Sequence, residues 1–181
     1  MGVKRTLLTL LGLLLFIACG NQHKTQEEIV KDWKTFENNN YSIKYPPKWE
    51  FNQSGYMGTS FLIVSRQTSI RDFYQENVSL VEEDLSDGLI DLQTYVKSAL
   101  ANLEKNVEHF KIIKSELENK DGETYHKIIY VGIDTKNTVM VEQYYMIKNA
   151  KAYVLTFSCK VFEVKRYRPI GEAILNSFKL K

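Results

Sequence analysis

The sequence predicts an α+β fold: a single domain with a central antiparallel sheet flanked by helices. Three observations support this prediction. The 181 residues are 44% hydrophobic and 25% charged, a composition that suits one compact core. Strand-like segments follow one another through short turns, so neighbouring strands must run antiparallel. Two further segments have helical periodicity with an apolar side, and such helices need an apolar sheet face to cover.

The first residues do not belong to that domain. Lys4 and Arg5 precede a mostly apolar stretch that runs from Leu7 to Ile17. Its eleven residues are fewer than the roughly 20 that a membrane-spanning helix needs. A positive start, a short apolar stretch and a small residue before the cleavage point are typical of a secretory signal.

This stretch ends in Phe16-Ile17-Ala18-Cys19-Gly20, which resembles the lipobox of bacterial lipoproteins. The resemblance implies that a signal peptidase cuts between Ala18 and Cys19 and that Cys19 is then acylated, for example with palmitate. Phe16 stands where leucine is usual. The alternative is an ordinary cleaved signal followed by an incidental cysteine. We therefore predict a cleaved signal peptide over residues 1–18, a lipidated polar tether over 19–32 and a globular domain over 33–181.

Removal of the predicted signal peptide and acylation of Cys19 would change the net charge and the number of free cysteines. Without Lys4 and Arg5 the basic count falls from 24 to 22, which equals the 22 acidic residues. A formally neutral protein has no electrostatic reason to bind nucleic acid or anionic lipid headgroups. With Cys19 acylated, Cys159 is the one cysteine left in the sequence. The exported domain would therefore have no internal disulfide and would rely on its core.

The first part of the domain reads as strands. We predict a strand over Trp33–Glu37, since the three asparagines that follow suit a hairpin turn. The alternative is a helix that begins with a capping box of Thr25 and Glu28 and has an apolar stripe of Ile29, Val30 and Trp33. Tyr41–Tyr45 alternates apolar and polar residues, and two prolines end it. Beyond this point, Trp49 and Phe51 return to the core, and strands are predicted over Phe61–Val64 and Val78–Glu83.

The second part begins with the clearest helix of the chain. Asp91 is its predicted N-cap. Its apolar residues recur at spacings of three and four: Leu92, Tyr95, Val96, Ala99, Leu100, Leu103 and Val107. Strands are then predicted over Phe110–Leu117, Thr124–Ile133, Val139–Ile147 and Ala152–Cys159. A second helix is expected between Phe162 and Ser177, with Pro169 at or near its first turn.

Several segments in this order resemble the PsbP-like family. They are Tyr41-Ser42-Ile43-Lys44-Tyr45-Pro46-Pro47-Lys48-Trp49, the helix after Asp91, Ala152-Tyr153-Val154-Leu155-Thr156-Phe157 and Ile174-Leu175-Asn176-Ser177-Phe178-Lys179. The resemblance covers Trp33 to Lys181 and implies an α/β/α sandwich with helices on both sides of the sheet. It implies no chemistry, since members of the family are mostly assembly or binding proteins.

Residue patterns that would indicate catalysis or metal binding are weak in this sequence. No pair among His23, His109 and His126 has the spacing of metal ligands. Cys159 and His126 are the one conceivable nucleophile pair, but Cys159 falls on the apolar side of its strand, where cysteine behaves as a small core residue. We therefore assign no catalytic, cofactor-binding or metal-binding residue and expect no cofactor.

Two charged runs and the tyrosines are also interpreted as structural features rather than as functional sites. The acidic run at Glu82, Glu83 and Asp84 lacks the spaced ligands of a calcium loop. The basic run from Lys165 to Arg168 reads as a solvated helix face rather than a docking patch. Tyr144 and Tyr145 are adjacent on one strand and should point to opposite faces.

The sequence as a whole favours a lipid-anchored, non-catalytic binding or accessory module of the cell envelope. Its expected partners are the membrane, through the lipid on Cys19, and an envelope protein. Because no aspartate follows Cys19, we expect the periplasmic side of an outer membrane if the host has two membranes. Otherwise we expect the outer face of the cytoplasmic membrane. The alternatives are an exported hydrolase with a dispersed site and a carrier of lipids or small molecules.

Overall fold

The computed structural model describes residues 30–88 and 90–181. The predicted signal peptide, Cys19 and most of the predicted tether lie outside the described residues, as do His23 and the capping box of Thr25 and Glu28.

The described residues form ten strands and two α-helices, and the strands make two antiparallel sheets. The larger sheet has seven strands in the order β3-β4-β5-β9-β8-β7-β6, and the smaller has the order β1-β2-β10. In chain order the elements are β1 (Lys34–Glu37), β2 (Tyr41–Tyr45), β3 (Glu50–Asn52), β4 (Phe61–Val64), β5 (Asn77–Asp84), α1 (Leu92–Asn106), β6 (Glu108–Lys120), β7 (Glu123–Asp134), β8 (Asn137–Lys148), β9 (Lys151–Lys160), α2 (Val164–Ser177) and β10 (Lys179–Leu180).

The large sheet lies between two layers and so has an apolar core on each face. On one face α1 packs over β6, β7 and β8, around Val96, Ile128 and Tyr145. On the other face α2 covers β5, β8 and β9, and the small sheet contributes Ile43 to the same core as Phe157. The predicted fold class, a central antiparallel sheet with helices on both sides, is confirmed.

Local sequence explains where the elements begin and end. The carboxylate of Asp91 accepts a hydrogen bond of 2.7 Å from the amide of Thr94, so Asp91 is the N-cap of α1 as predicted. Asn149 and Ala150 both have positive φ and form the two-residue turn that joins β8 to β9 with the twist a hairpin requires.

Pro169 is placed differently from our prediction. It lies in the interior of α2, at the sixth helical residue, rather than near the first turn. Proline cannot donate a hydrogen bond to the carbonyl four residues earlier, here that of Lys165. Both residues are exposed, so water can hydrate that carbonyl and the helix continues to Ser177.

Close packing between α2 and the sheet centres on Gly171. Phe157 of β9 is fully buried, as its predicted strand face requires, and its ring lies directly under the helix. A Cβ atom at Gly171 would lie 2.4 Å from two ring carbons of Phe157. Glycine at this position therefore allows the helix backbone to approach β9. Trp49 is also buried, 7% exposed, and its ring packs edge-on against Tyr167 of α2.

Candidate functional site

The residues considered for catalysis are separated by the sheet. Cys159 is fully buried on the face covered by α2. His126 lies opposite Tyr145 in the strand register, and Tyr145 belongs to the core under α1. The two side chains therefore lie on opposite faces and cannot form a nucleophile–base pair. Burial raises the pKa of the Cys159 thiol to about 12 and lowers that of His126. The remaining described histidine, His109, is exposed, with its Nε2 3.6 Å from a carboxylate oxygen of Glu108.

The acidic run at the end of β5 makes structural contacts. Glu82 pairs with Lys151 at 3.1 Å, and Glu83 accepts a hydrogen bond of 2.7 Å from the hydroxyl of Tyr95. Asp84 accepts the amide of Ser86 at 2.8 Å. These three carboxylates connect β5 to β9, to α1 and to the turn that follows β5. Within residues 30–88 and 90–181, no three His, Cys, Asp or Glu side chains are grouped as a metal site would require.

A charged cluster that the sequence did not reveal lies beneath α2. Glu142 of β8 is fully buried, and Lys127 of β7 is 5% exposed. The Lys127 Nζ is 2.7 Å from Glu142 Oε1 and 3.3 Å from Glu172 Oε1. From the helix, Arg168 Nε lies 3.5 Å from Glu142 Oε2. Two cations thus surround one buried carboxylate, and they connect α2 to two neighbouring strands.

A cleft of about 280 Å³ opens beside this cluster, between the β6–β7 turn and the end of α2. Tyr125 and Tyr144, whose rings stack at 4.6 Å, form one wall, and Leu175 and Phe178 lie among the other lining residues. The Tyr144 hydroxyl donates to Asn176 Oδ1 at 3.2 Å. Burial raises the pKa of Tyr144 well above its ordinary value, so its hydroxyl stays protonated. The cleft is small and aromatic.

A second buried carboxyl group lies at the beginning of β5. Glu76 is 1% exposed, and its Oε2 accepts a hydrogen bond of 3.2 Å from the hydroxyl of Ser65. Its other oxygen, Oε1, has no hydrogen-bond partner among the described residues. Burial raises the pKa of this carboxyl group, which favours the protonated form and reduces the cost of burying it.

The most exposed apolar side chains at one end of the sheet form what we call the apolar tip, Ile70, Phe73 and Phe162. Their exposed fractions are 89%, 90% and 77%. Ile70 and Phe73 lie in the loop between β4 and β5, and Phe162 follows β9. The strand ends that carry these two segments are neighbours, because Val64 pairs with Asn77 and Asn77 pairs with Ser158.

The loop of the apolar tip is held in place by contacts beneath it. Asp72 Oδ1 is 2.9 Å from Lys160 Nζ, and both side chains are mostly buried. The same ammonium group lies 5.3 Å from the centre of the Phe162 ring, and the Tyr74 hydroxyl bonds to Ser158. The hydrogen bond from Lys160 holds the pKa of Asp72 at about 2. The residues on either side of Phe73 therefore point inward, while Phe73 points to solvent.

Exposed basic residues lie around the apolar tip. Arg66 and Arg71 belong to the same loop, and Lys165 and Arg166 begin α2 just after Phe162; all four are exposed. The basic run was expected to be a solvated helix face, and in the structure it has three different environments. Lys165 and Arg166 are exposed, Tyr167 is buried and Arg168 reaches Glu142.

The family profile described as PsbP-like protein matches residues 19–180 of the chain. Among curated protein sequences no significant match was found. Within the described residues, no helix combines the length and apolar character needed to cross a membrane.

Three solved structures show the same fold. The cyanobacterial PsbP, CyanoP, from Synechocystis is 15% identical with a TM-score of 0.60, covering 82% of this chain and 92% of that one. LpqN of Mycobacterium tuberculosis, described as involved in cell envelope biogenesis, is 13% identical with a TM-score of 0.56, covering 85% and 95%. PA94 of Pseudomonas aeruginosa, described as a protein of unknown function and putative regulator, is 15% identical with a TM-score of 0.56, covering 80% and 94%.

Proposed function

The chain belongs to the PsbP-like protein family, and we propose that it is a lipid-anchored, non-catalytic accessory module of the cell envelope. In this proposal Cys19 carries the lipid and the folded domain acts by docking rather than by chemistry. The lipobox-like sequence that ends at Cys19 supports the anchor. Of the structural neighbours, LpqN is described as acting in cell envelope biogenesis, which agrees with an envelope location.

The observation that carries the docking role is the apolar tip. Isolated apolar side chains are common on protein surfaces and need no explanation. Here, however, three large ones with exposed fractions of 77–90% share one end of the sheet. The loop beneath them is held by a mostly buried ion pair between Asp72 and Lys160. Because this ion pair holds the loop in place, the apolar tip is a fixed surface and is suited to binding a partner.

The alternatives receive less support from the geometry. A hydrolase needs titratable groups that converge on a reacting atom, whereas Glu142 is surrounded by Lys127 and Arg168 inside the core. A carrier needs a deep apolar cavity. The cleft beside Tyr144 holds about 280 Å³, less than the range of about 300–1,000 Å³ that ligand pockets occupy. The larger depressions of the described residues, of about 530–570 Å³, are open grooves rather than deep cavities.

The proposal is tested by complementing a deletion strain with single variants and scoring its envelope phenotype. Cys19→Ala should fail, because the domain would lose its anchor. Phe73→Ser combined with Phe162→Ser should also fail while remaining folded, because both side chains are exposed. Leu117→Ser is the matched control, since Leu117 is 54% exposed on β6, away from the tip, and it should complement.

The same assay distinguishes an enzyme from a docking module. His126→Ala and Cys159→Ala should complement if the domain has no catalytic role for them. A folded His126 or Cys159 variant that lost all function would contradict the proposal and favour the enzyme. Mass spectrometry of the mature protein should find a lipid on Cys19, and an unmodified N-terminus beyond Cys19 would refute the anchor.

A further inference from the structure

We propose that the partner of the apolar tip is the lipid bilayer itself, so that the domain stands on the membrane by two contacts, the lipid on Cys19 and the tip. This inference rests on the proposed function, because it requires the lipid to hold the domain close to a membrane surface.

The size and placement of the tip favour a bilayer over a protein surface. An aromatic side chain contributes about 150–250 Å², so three side chains supply less than the roughly 800 Å² that each partner buries in a stable protein interface. A fluid bilayer does not require a large continuous contact area, because its acyl chains can surround separate side chains. Ile70, Phe73 and Phe162 also lie on segments beyond the ends of β4 and β9, at an end of the sheet rather than on one of its covered faces.

The charge around the tip complements an anionic membrane. Segments 65–76 and 161–168 contain four exposed basic residues, Arg66, Arg71, Lys165 and Arg166, and three acidic ones. Two of the acidic residues, Asp72 and Glu76, have mostly buried side chains. The exposed side chains here are therefore mainly basic, as at surfaces that bind anionic lipids. The neutral total charge led us to expect no attraction to anionic headgroups, but that total conceals this local excess.

The tether explains why a second contact is needed. Val30 is eleven positions after Cys19, and a segment of that length spans at most about 36–40 Å when fully extended. A domain of this size has a diameter of about 40 Å. The tether thus keeps the domain near the bilayer while leaving any face able to reach it. Insertion of the tip would select one orientation and leave the cleft and the β6 edge accessible to other molecules.

The support beneath the tip reduces the cost of insertion. Asp72 and Lys160 neutralise each other, so the charged groups under the tip are already paired before contact. Because the Tyr74 hydroxyl bonds to Ser158 of β9, Phe73 is held between two anchored residues. A loop ordered in advance loses less conformational entropy when it binds.

Tryptophan fluorescence in vesicles tests the inference. The lipidated full-length mature chain carrying Phe73→Trp or Phe162→Trp is reconstituted into vesicles of phosphatidylethanolamine and phosphatidylglycerol with acyl chains brominated near the headgroup. The control is Leu117→Trp on β6, which is level with Val154 in the strand register and three strands from β9. The unsubstituted protein gives the background from Trp33 and Trp49, which is subtracted.

We expect the emission of both tip variants to shift to shorter wavelength and to be quenched severalfold more than that of Leu117→Trp. Quenching should weaken when phosphatidylcholine replaces phosphatidylglycerol, and unchanged quenching would refute the role of the basic residues. Equal quenching of tip and control in a protein whose Cys19 carries lipid would refute the inference and leave the proposed function intact. The inference would also be refuted, with the proposed function left intact, if a photo-crosslinker at position 73 captured one protein in cells while tip and control variants were quenched equally in vesicles. An unmodified Cys19 would contradict both.

Discussion

Replacing Gly171 by alanine should destabilise the protein, although the same change usually stabilises a helix. In an exposed helix interior, alanine is favoured over glycine by about 1 kcal/mol. Here the added Cβ atom would lie 2.4–2.5 Å from three ring carbons of Phe157, against an optimum of about 3.5–4.0 Å between carbon atoms. Phe157 is fully buried, so its ring has no free space to enter.

The size of the effect follows from these opposing terms. Overpacking of a well-filled core typically costs about 1–3 kcal/mol. Because the added atom would clash with three ring carbons of a fully buried side chain, we expect the upper part of that range, about 2–3 kcal/mol. Subtracting the gain in helix propensity of about 1 kcal/mol leaves a net loss of about 1–2 kcal/mol. That loss is a substantial part of the roughly 5–15 kcal/mol by which a domain is stable.

Chemical unfolding followed by the fluorescence of Trp49 measures the loss, because Trp49 packs against Tyr167 of the same helix. Gly88→Ala is the matched control, since a Cβ atom there would meet nothing within 4 Å. Combining Gly171→Ala with Phe157→Leu should cost less than the sum of the two single changes, because the smaller side chain makes room. A Gly171→Ala protein as stable as the parent would refute the proposed contact between α2 and β9.

Three further predictions concern the buried polar groups. Lys127→Ala should lower the free energy of unfolding by about 3–5 kcal/mol in urea titration, because it leaves Glu142 charged and poorly compensated in the core; adding Glu142→Leu should recover part of that loss. Asp72, with its pKa lowered from the ordinary 3.8 to about 2 by Lys160, should contribute up to about 2 kcal/mol above its ordinary pKa and lose it as the pH falls towards 2. Asp72→Asn should therefore flatten the pH dependence of stability in that window. The thiol of Cys159, buried and with its pKa raised to about 12, should react with a disulfide reagent only after unfolding, and rapid labelling of the native protein would contradict its burial.

The regular part of the fold could be predicted because the chain alternates according to strand geometry. Successive side chains of a strand point to opposite faces, so Tyr144 and Tyr145 were expected on opposite sides of the sheet. The structure confirms this, with Tyr144 in the core under α2 and Tyr145 in the core under α1. The helix after Asp91 was equally clear, since both its cap and its apolar spacing agree with the observed α1.

The charged cluster beneath α2 was not predictable in the same way. Lys127 and Glu142 interrupt apolar strands, and a charged residue in a strand normally indicates a solvent-facing position. They are buried here because the register places the two strands side by side and Arg168 approaches from a helix 26 positions further along the chain. Together with Glu172 of α2 they make two cations and two carboxylates, and these charges offset one another only once the fold exists.

The apolar tip was missed for a related reason. Ile70 and Phe73 stand in a stretch otherwise rich in polar residues, Ser65 to Glu76, with no periodicity to indicate their orientation. Their exposure follows from Asp72 and Tyr74, whose partners lie on β9 more than 80 residues later. A sequence pattern reports local spacing, and the direction of this loop is set by pairing between distant residues.

The small sheet has a consequence for the order in which the chain can fold. β2 pairs with β1 on one side and with β10 on the other, and the amide of Lys181 donates to the carbonyl of Asn40. When the chain emerges amino end first, one edge of β2 stays open until nearly all later residues have appeared. The side chains of Tyr41 and Ile43, fully enclosed in the finished protein, lack their cover of α2 for the same period. Contacts this far apart in sequence form slowly, so β2 is completed late in folding, which would suit the export that our proposal requires.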